Sequence, residues 1–242
     1  MKWILICMTL IFLAGQSFGQ HKKNIQKSWV KTSIENLSEK VVAPDTLYTR
    51  YTFNKSTLNI SFYPGWDDFK QTWAITNNKL TIGYDTYTIE TLTDSTLTIT
   101  LDGFRRMKFM AEDYLSNQDL HLVLLGEHNG KPYYKANHYI TPRYTGKANF
   151  RNFLQKNVEG YNIKKASYFR LTFIVTEAGT IENVKIINSI TEGFDKEITK
   201  QLMKTSKEWK PATFQGKPIQ TEMFYDIKYL NSLTPFNRGG LN

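Results

Sequence analysis

The residues of this chain whose types could carry chemistry are four histidines, one cysteine and a few adjacent carboxylates. His121, His128 and His138 flank Asn129-Gly130, a pair that favours a two-residue hairpin turn because both positions accept positive φ. In that register residue 128 pairs with 131, and His121 falls opposite His138. Two facing imidazoles are too few for a zinc site, which takes three or four ligands, and no cysteine or obvious third ligand completes the set. Cys7, the sole cysteine, lies in an apolar run near the amino terminus, so the rest of the chain has neither thiolate nor disulfide. Asp67-Asp68 and Glu112-Asp113 fall among turn formers, where carboxylate pairs are solvated. No Ser-His-Asp order, nucleophile elbow or phosphate-binding loop occurs. The sequence therefore predicts no catalytic residue, no metal and no cofactor.

The amino terminus predicts export. Lys2 is followed by an apolar run from Trp3 to Ala14, then by the small residues Gly15, Ser17 and Gly19. A basic start, a short apolar centre and small residues before a polar resumption make a signal peptide of residues 1–19, cleaved after Gly19. The run is shorter than the about 20 residues a bilayer span needs. A periplasmic or secreted location follows. The formal net charge of +9 comes from scattered lysines, with basic pairs only at Lys22-Lys23 and Arg105-Arg106. That pattern describes a solvated basic surface and excludes nucleic acid as the expected partner.

Binding must then be carried by folded surfaces. From Trp29 to Phe109 the apolar residues recur with period two: Leu47, Thr49, Tyr51 and Phe53; Leu58, Ile60 and Phe62; Phe69, Gln71, Trp73 and Ile75; Leu80, Ile82 and Tyr84; Tyr87 and Ile89; Leu97, Ile99 and Leu101; Met107 and Phe109. Turn formers separate them, such as Asn77-Asn78 and Asp102-Gly103. About eight short strands with hairpin-length joins predict an up-and-down antiparallel barrel. With a helix-like lead from Lys22 to Lys27, Trp29 opening the first strand, and the rhythm Trp73-Ala-Ile75, Leu80-Thr-Ile82, Tyr87-Thr-Ile89, Ser95-Thr-Leu97, this stretch resembles the bacterial lipocalin-like domains over residues 24–112. The resemblance implies a small barrel that in some members holds a ligand. An eight-strand barrel is near the size at which side chains fill the interior, and the packed interior is the favoured expectation. A connecting hairpin over residues 113–140 is expected as a linker.

Past Pro142 the period changes. Phe150, Phe153 and Leu154 have helical spacing, Leu171, Phe173 and Val175 alternate, and a second strand runs Ile181 to Ile187. Phe194, Ile198 and Leu202 form a helix stripe, and Met223, Tyr225, Ile227 and Tyr229 alternate at the end. Helix, strand, strand, helix, strand predicts an α+β module: a three-stranded antiparallel sheet with two helices. The whole is thus mainly β with an α+β second domain at 141–230 and a flexible tail at 231–242.

Pro142-Arg-Tyr-Thr-Gly146, Phe173-Ile-Val175, Glu177-Ala-Gly179 and, above all, Trp209-Lys-Pro211-Ala212 with Gly216-Lys-Pro218-Ile219 resemble the carboxy-terminal domain of TonB-family proteins. Gly179, Trp209, Pro211, Gly216 and Pro218 also have plain roles in turns and packing. The resemblance implies that a partner peptide from an outer-membrane receptor pairs beside the last strand, at Thr221, Met223, Tyr225, Ile227 and Tyr229. It also meets departures: seven prolines without a run cannot make the stiff spacer of an energy transducer, and Asn162 replaces a usual proline. The expected function is an exported interaction module binding an envelope or outer-membrane protein by strand addition. The alternative is a periplasmic carrier whose barrel takes a small apolar ligand.

Overall fold

The computed structural model describes residues 23–44, 49–62, 67–118, 122–137, 139–147, 149–158, 161 and 167–229. The expected leader, the tail, Asn162 and three of the histidines, His21, His121 and His138, lie outside them. The chain divides into two compact units, the first ending at Gln118.

The first unit contains nine strands: β1 (Ser28–Asn36), β2 (Val41–Pro44), β3 (Arg50–Phe53), β4 (Thr57–Phe62), β5 (Asp67–Thr76), β6 (Lys79–Ile82), β7 (Asp85–Leu92), β8 (Thr96–Leu101) and β9 (Arg105–Ala111). Eight of them close a ring, because β9 pairs back onto β1 from Trp29↔Ala111 to Asn36↔Arg105. β2 and β3 share the opposite side of β1: β3 pairs with Ser28–Val30 and β2 with Ser33–Asn36. The pairings among the described residues are antiparallel, so this is the expected closed barrel.

Alternation put most of the predicted apolar set inside, but Phe69 and Tyr84 are exposed and Leu47 lies outside the described residues. Trp29, Leu58, Leu80, Leu97 and Ile99 are wholly buried, and Phe53, Met107 and Phe109 nearly so. Tyr51 and Phe109 pack with ring centroids 4.9 Å apart, and Phe53 meets Trp73 edge-on at 5.1 Å. These side chains fill the middle of the barrel, in line with the packed interior. The Trp29 indole donates to the Ile25 carbonyl at 2.9 Å, so a helical turn at 23–25 plugs one end. Helix α1 (Glu112–Asn117) packs outside, against β1 and β9, where Glu112 meets the buried Arg50 guanidinium at 2.9 Å.

The second unit adds β10 (Leu124–His128), β11 (Lys131–Lys135), β12 (Arg143–Tyr144), helix α2 (Phe150–Lys156), β13 (Ser167–Val175), β14 (Ile181–Asn188), helix α3 (Glu192–Lys204), β15 (Trp209–Lys210), β16 (Ala212–Phe214) and β17 (Lys217–Tyr229). The predicted helices and strands are there, and Asn129 and Gly130, at φ of 53° and 72°, make the two-residue turn pairing His128 with Lys131. Side-chain caps start both helices, Asn149 accepting from the Asn152 amide and Thr191 from the Phe194 amide. Phe194, Ile198 and Leu202 are fully buried with Phe150, Leu154, Phe169, Phe173 and Tyr225 in one core.

Two expectations need correction. The sheet is larger than three strands: its order is β10-β11-β17-β13-β14, with β16 also on β17. The 124–135 hairpin is therefore no linker but part of this sheet, because β11 runs parallel to β17 from Tyr133↔Gln220 to Lys135↔Glu222. β17 is therefore an inner strand at Thr221 and Glu222, where β13 pairs on one side and β11 on the other; it pairs with β16 over Lys217–Ile219, and among the described residues Met223–Tyr229 pairs only with β13.

Candidate functional site

The expected docking residues are core residues. Thr221, Met223, Tyr225, Ile227 and Tyr229 all point their side chains into the helix-covered side, with at most 9% exposure. The Thr221 backbone lies between Val175 and Tyr134, so no partner strand can add there while the hairpin is in place. Periodicity found the buried face of this strand but carried no signal about its neighbours.

The motif residues of the second unit hold the fold. Gly179 has φ of +74°, and a Cβ on it would lie 2.1 Å from the Trp209 carbonyl oxygen, with Pro211 next to it. Trp209 is ringed by Tyr144, Phe150 and Phe173 at 5.1–5.5 Å and donates its indole N–H to Thr205 Oγ1 at 3.2 Å. Gln215 and Gly216, both at positive φ, form the turn, whereas Lys217 and Pro218 already belong to β17.

The barrel offers a different site. In an up-and-down ring the joins alternate between the two ends. The β3–β4, β5–β6 and β7–β8 joins share the end plugged by Ile25 and Trp29. The opposite end receives the joins 37–40, Gly83–Tyr84 and Asp102–Phe104, together with the ends of β4 and β5. The Leu37 amide donates to the Phe104 carbonyl at 2.9 Å and ties two of these joins. Among the described residues, five exposed large apolar side chains stand at this end: Val41, Val42, Phe69 at 54%, Phe104 at 70% and the fully exposed Tyr84. Phe62 and Phe69 pair edge-on at 5.8 Å. Sequence periodicity read Tyr84 as a strand residue, but it sits in the turn, at a position where an aromatic gains nothing from packing. An aromatic beside each of the turn glycines Gly83 and Gly103 was the available signal.

A few polar groups converge just inside this rim. Asp85, Tyr87 and Arg105 share the inward parity of Ile89 and Met107 on β7 and β9. The Tyr87 hydroxyl donates to Asp85 Oδ2 at 3.3 Å. Burial pushes the Tyr87 hydroxyl pKa up, Asp85 adds to the shift, and Arg105 beside it opposes it. Gln71 lies against Gly83, its Oε1 2.9 Å from where a Cβ would stand. An apolar rim with a small number of placed polar groups has the composition of a small-ligand site.

Among the described residues no three His, Cys, Asp or Glu side chains come together as metal ligands, and no helix is long and apolar enough to cross a membrane. The first unit folds as a closed eight-strand antiparallel barrel. Among solved structures, a lipocalin-like protein from Bacteroides uniformis is similar to this chain at 12% identity and a TM-score of 0.32, covering 36% of this chain and 98% of that one. An uncharacterised protein from Bacteroides eggerthii is similar at 13% identity and a TM-score of 0.30, covering 35% of this chain and 97% of its own. No family model and no curated protein matches the sequence.

Proposed function

We propose that this is an exported, non-enzymatic binding protein whose barrel takes a small apolar ligand at its open rim. The observation that carries this reading is the asymmetry of the barrel. One end is plugged by Ile25 and Trp29, and the other gathers Val41, Val42, Phe69, Tyr84 and Phe104 in water. Exposed apolar side chains grouped at one place are the usual mark of an interaction site. Because the middle is filled, the ligand sits at the mouth against Phe62 and Phe69 rather than deep inside. Native mass spectrometry of the chain starting at Gln20, purified from envelope, tests this: a small apolar adduct is expected, lost in the Phe69→Ser, Phe104→Ser double variant. A bare mass, together with no binding of N-phenyl-1-naphthylamine, would sink the carrier reading.

A second reading keeps the partner-protein role and moves it to another strand. Among the described residues β14 pairs only with β13, and it exposes Ile186 and Ile187. An extended segment of an envelope or outer-membrane protein adding to this edge fits the TonB-like motif residues. Co-purification of such a protein, abolished by Ile187→Pro at unchanged melting temperature, is the expected result. Capture that survives the proline refutes this placement.

A further inference from the structure

We infer that Asn129 is a self-modifying site: its side-chain amide is lost as ammonia with help from His128 and Glu182, and the carboxylate left behind loosens the tip of the β10–β11 hairpin. The inference is independent of the ligand reading of the barrel.

Asn129-Gly130 is the sole Asn-Gly pair in the sequence. The backbone nitrogen that follows an asparagine can attack the side-chain carbonyl carbon, because the imide so formed is an unstrained five-membered ring. A side chain on the following residue shields that nitrogen, and glycine has none. Here both residues are exposed, and among the described residues nothing bonds the Gly130 amide. The β5–β6 turn is a matched comparison within the same chain. Asn77 and Asn78 are exposed and left-handed too, at φ of 49° and 50°, but they are followed by Asn78 and Lys79.

The tip also carries the groups that move protons. Asn129 Nδ2 donates to Glu182 Oε2 at 2.9 Å and lies 3.2 Å from His128 Nε2, which is itself 2.7 Å from the same Oε2. Thr180 donates to the other oxygen, Oε1, at 3.3 Å and orients the carboxylate. Glu182 thereby keeps the imidazole proton on Nε2, beside the nitrogen that leaves. A general acid must stand within hydrogen-bond reach of the atom it protonates, and His128 does.

The step balances without an oxidant or a reductant. A bond forms between the Gly130 nitrogen and Asn129 Cγ, and the Cγ–Nδ2 bond breaks. His128 Nε2 hands Nδ2 the one proton it needs to depart as ammonia, and the proton shed by the Gly130 amide returns through water to the ring. Water then opens the imide at either carbonyl, leaving an aspartyl or isoaspartyl residue.

The product reverses the contact at the tip. Nδ2 is a donor to Glu182, whereas the oxygen that replaces it is a charged acceptor, so two carboxylates meet at hydrogen-bond distance. None of the ten strand residues of this hairpin is buried, so its hold on the sheet depends on such polar ties.

Timed peptide mapping by mass spectrometry of the chain starting at Gln20, at neutral pH, tests the chemistry. A gain of one dalton at residue 129, shared between aspartyl and isoaspartyl products, should build up several-fold faster than at Asn77 or Asn78. His128→Gln and Glu182→Gln keep polar side chains at both places but remove the proton transfer, and each should slow the gain by about tenfold, modest for a general acid. No gain at residue 129, a rate equal to that of Asn77 and Asn78, or a rate that either substitution leaves unchanged would overturn the site. Asn129→Asp installs the product's charge directly and should speed hydrogen exchange over 124–135 while β13 amides stay slow. Hairpin exchange unchanged from the parent, or β13 accelerating along with it, would overturn the loosening.

Discussion

Replacing Gly179 by alanine separates backbone strain from collision, because Gly216 supplies the matched control. Both glycines sit at nearly the same φ, +74° and +72°. At Gly216 an added Cβ meets nothing within 4 Å, so Gly216→Ala carries only the left-handed conformational term, about 1 kcal/mol after the unfolded-state gain. At Gly179 the same atom would stand 2.1 Å from the Trp209 carbonyl oxygen, a backbone atom that cannot rotate aside. The turn and β15 must part, which adds about 1–3 kcal/mol of packing strain. The Lys207 amide bond to the Gly179 carbonyl, 3.1 Å long, is lost with it, for about 1 kcal/mol more. The expected cost of Gly179→Ala is thus about 3–5 kcal/mol. For a unit of about 100 residues each kcal/mol lowers the Tm by roughly 4–8 °C. Scanning calorimetry should show the second unit's transition fall by more than about 12 °C for Gly179→Ala and by about 5 °C for Gly216→Ala. Equal shifts would refute the collision argument and leave φ as the whole explanation of the motif glycine.

Leu97, fully buried in the barrel, should cost about 2–5 kcal/mol on change to alanine; urea unfolding should show the loss in the barrel transition alone. Phe69→Ser removes an exposed ring that packs edge-on against Phe62, so stability should fall by no more than about 1 kcal/mol while N-phenyl-1-naphthylamine fluorescence drops. Unchanged probe binding would separate this rim from the ligand. The Arg106 guanidinium, 2.7 Å from Glu90, holds the Glu90 carboxyl below its ordinary value of 4.5, with Thr100 helping. That contribution is present above pH 4.5 and is lost as pH falls through the depressed value, so Arg106→Met should flatten the acid limb of the barrel's stability curve. Tyr144 has the opposite sign: burial first, and then its bond to Glu208 at 2.8 Å, raises its hydroxyl pKa well above 10.0. Its contribution is full below pH 10.0 and fades as pH rises further, and Tyr144→Phe should remove that alkaline loss in a denaturant titration.

Local periodicity determined a good deal. The alternation through Tyr51–Phe53, Leu58, Trp73 and Leu97–Ile99 named the barrel interior, since side chains on a strand can only face two ways. The spacing of Phe194, Ile198 and Leu202 named the buried stripe of α3, and Asn129-Gly130 fixed the register of a hairpin through its φ values. Period two says which face a residue takes, however, and nothing about height along the barrel or about which strand lies alongside. Val41, Phe69, Tyr84 and Phe104 became one rim only when the ring closed through β9 onto β1. Likewise β17 read as a border strand along its whole length until β11 came to pair with Gln220–Glu222 in parallel, because that pairing joins residues far apart in sequence through backbone groups every residue carries alike. The chain thus encoded its cores locally, and only the tertiary structure decided which surfaces those cores leave open.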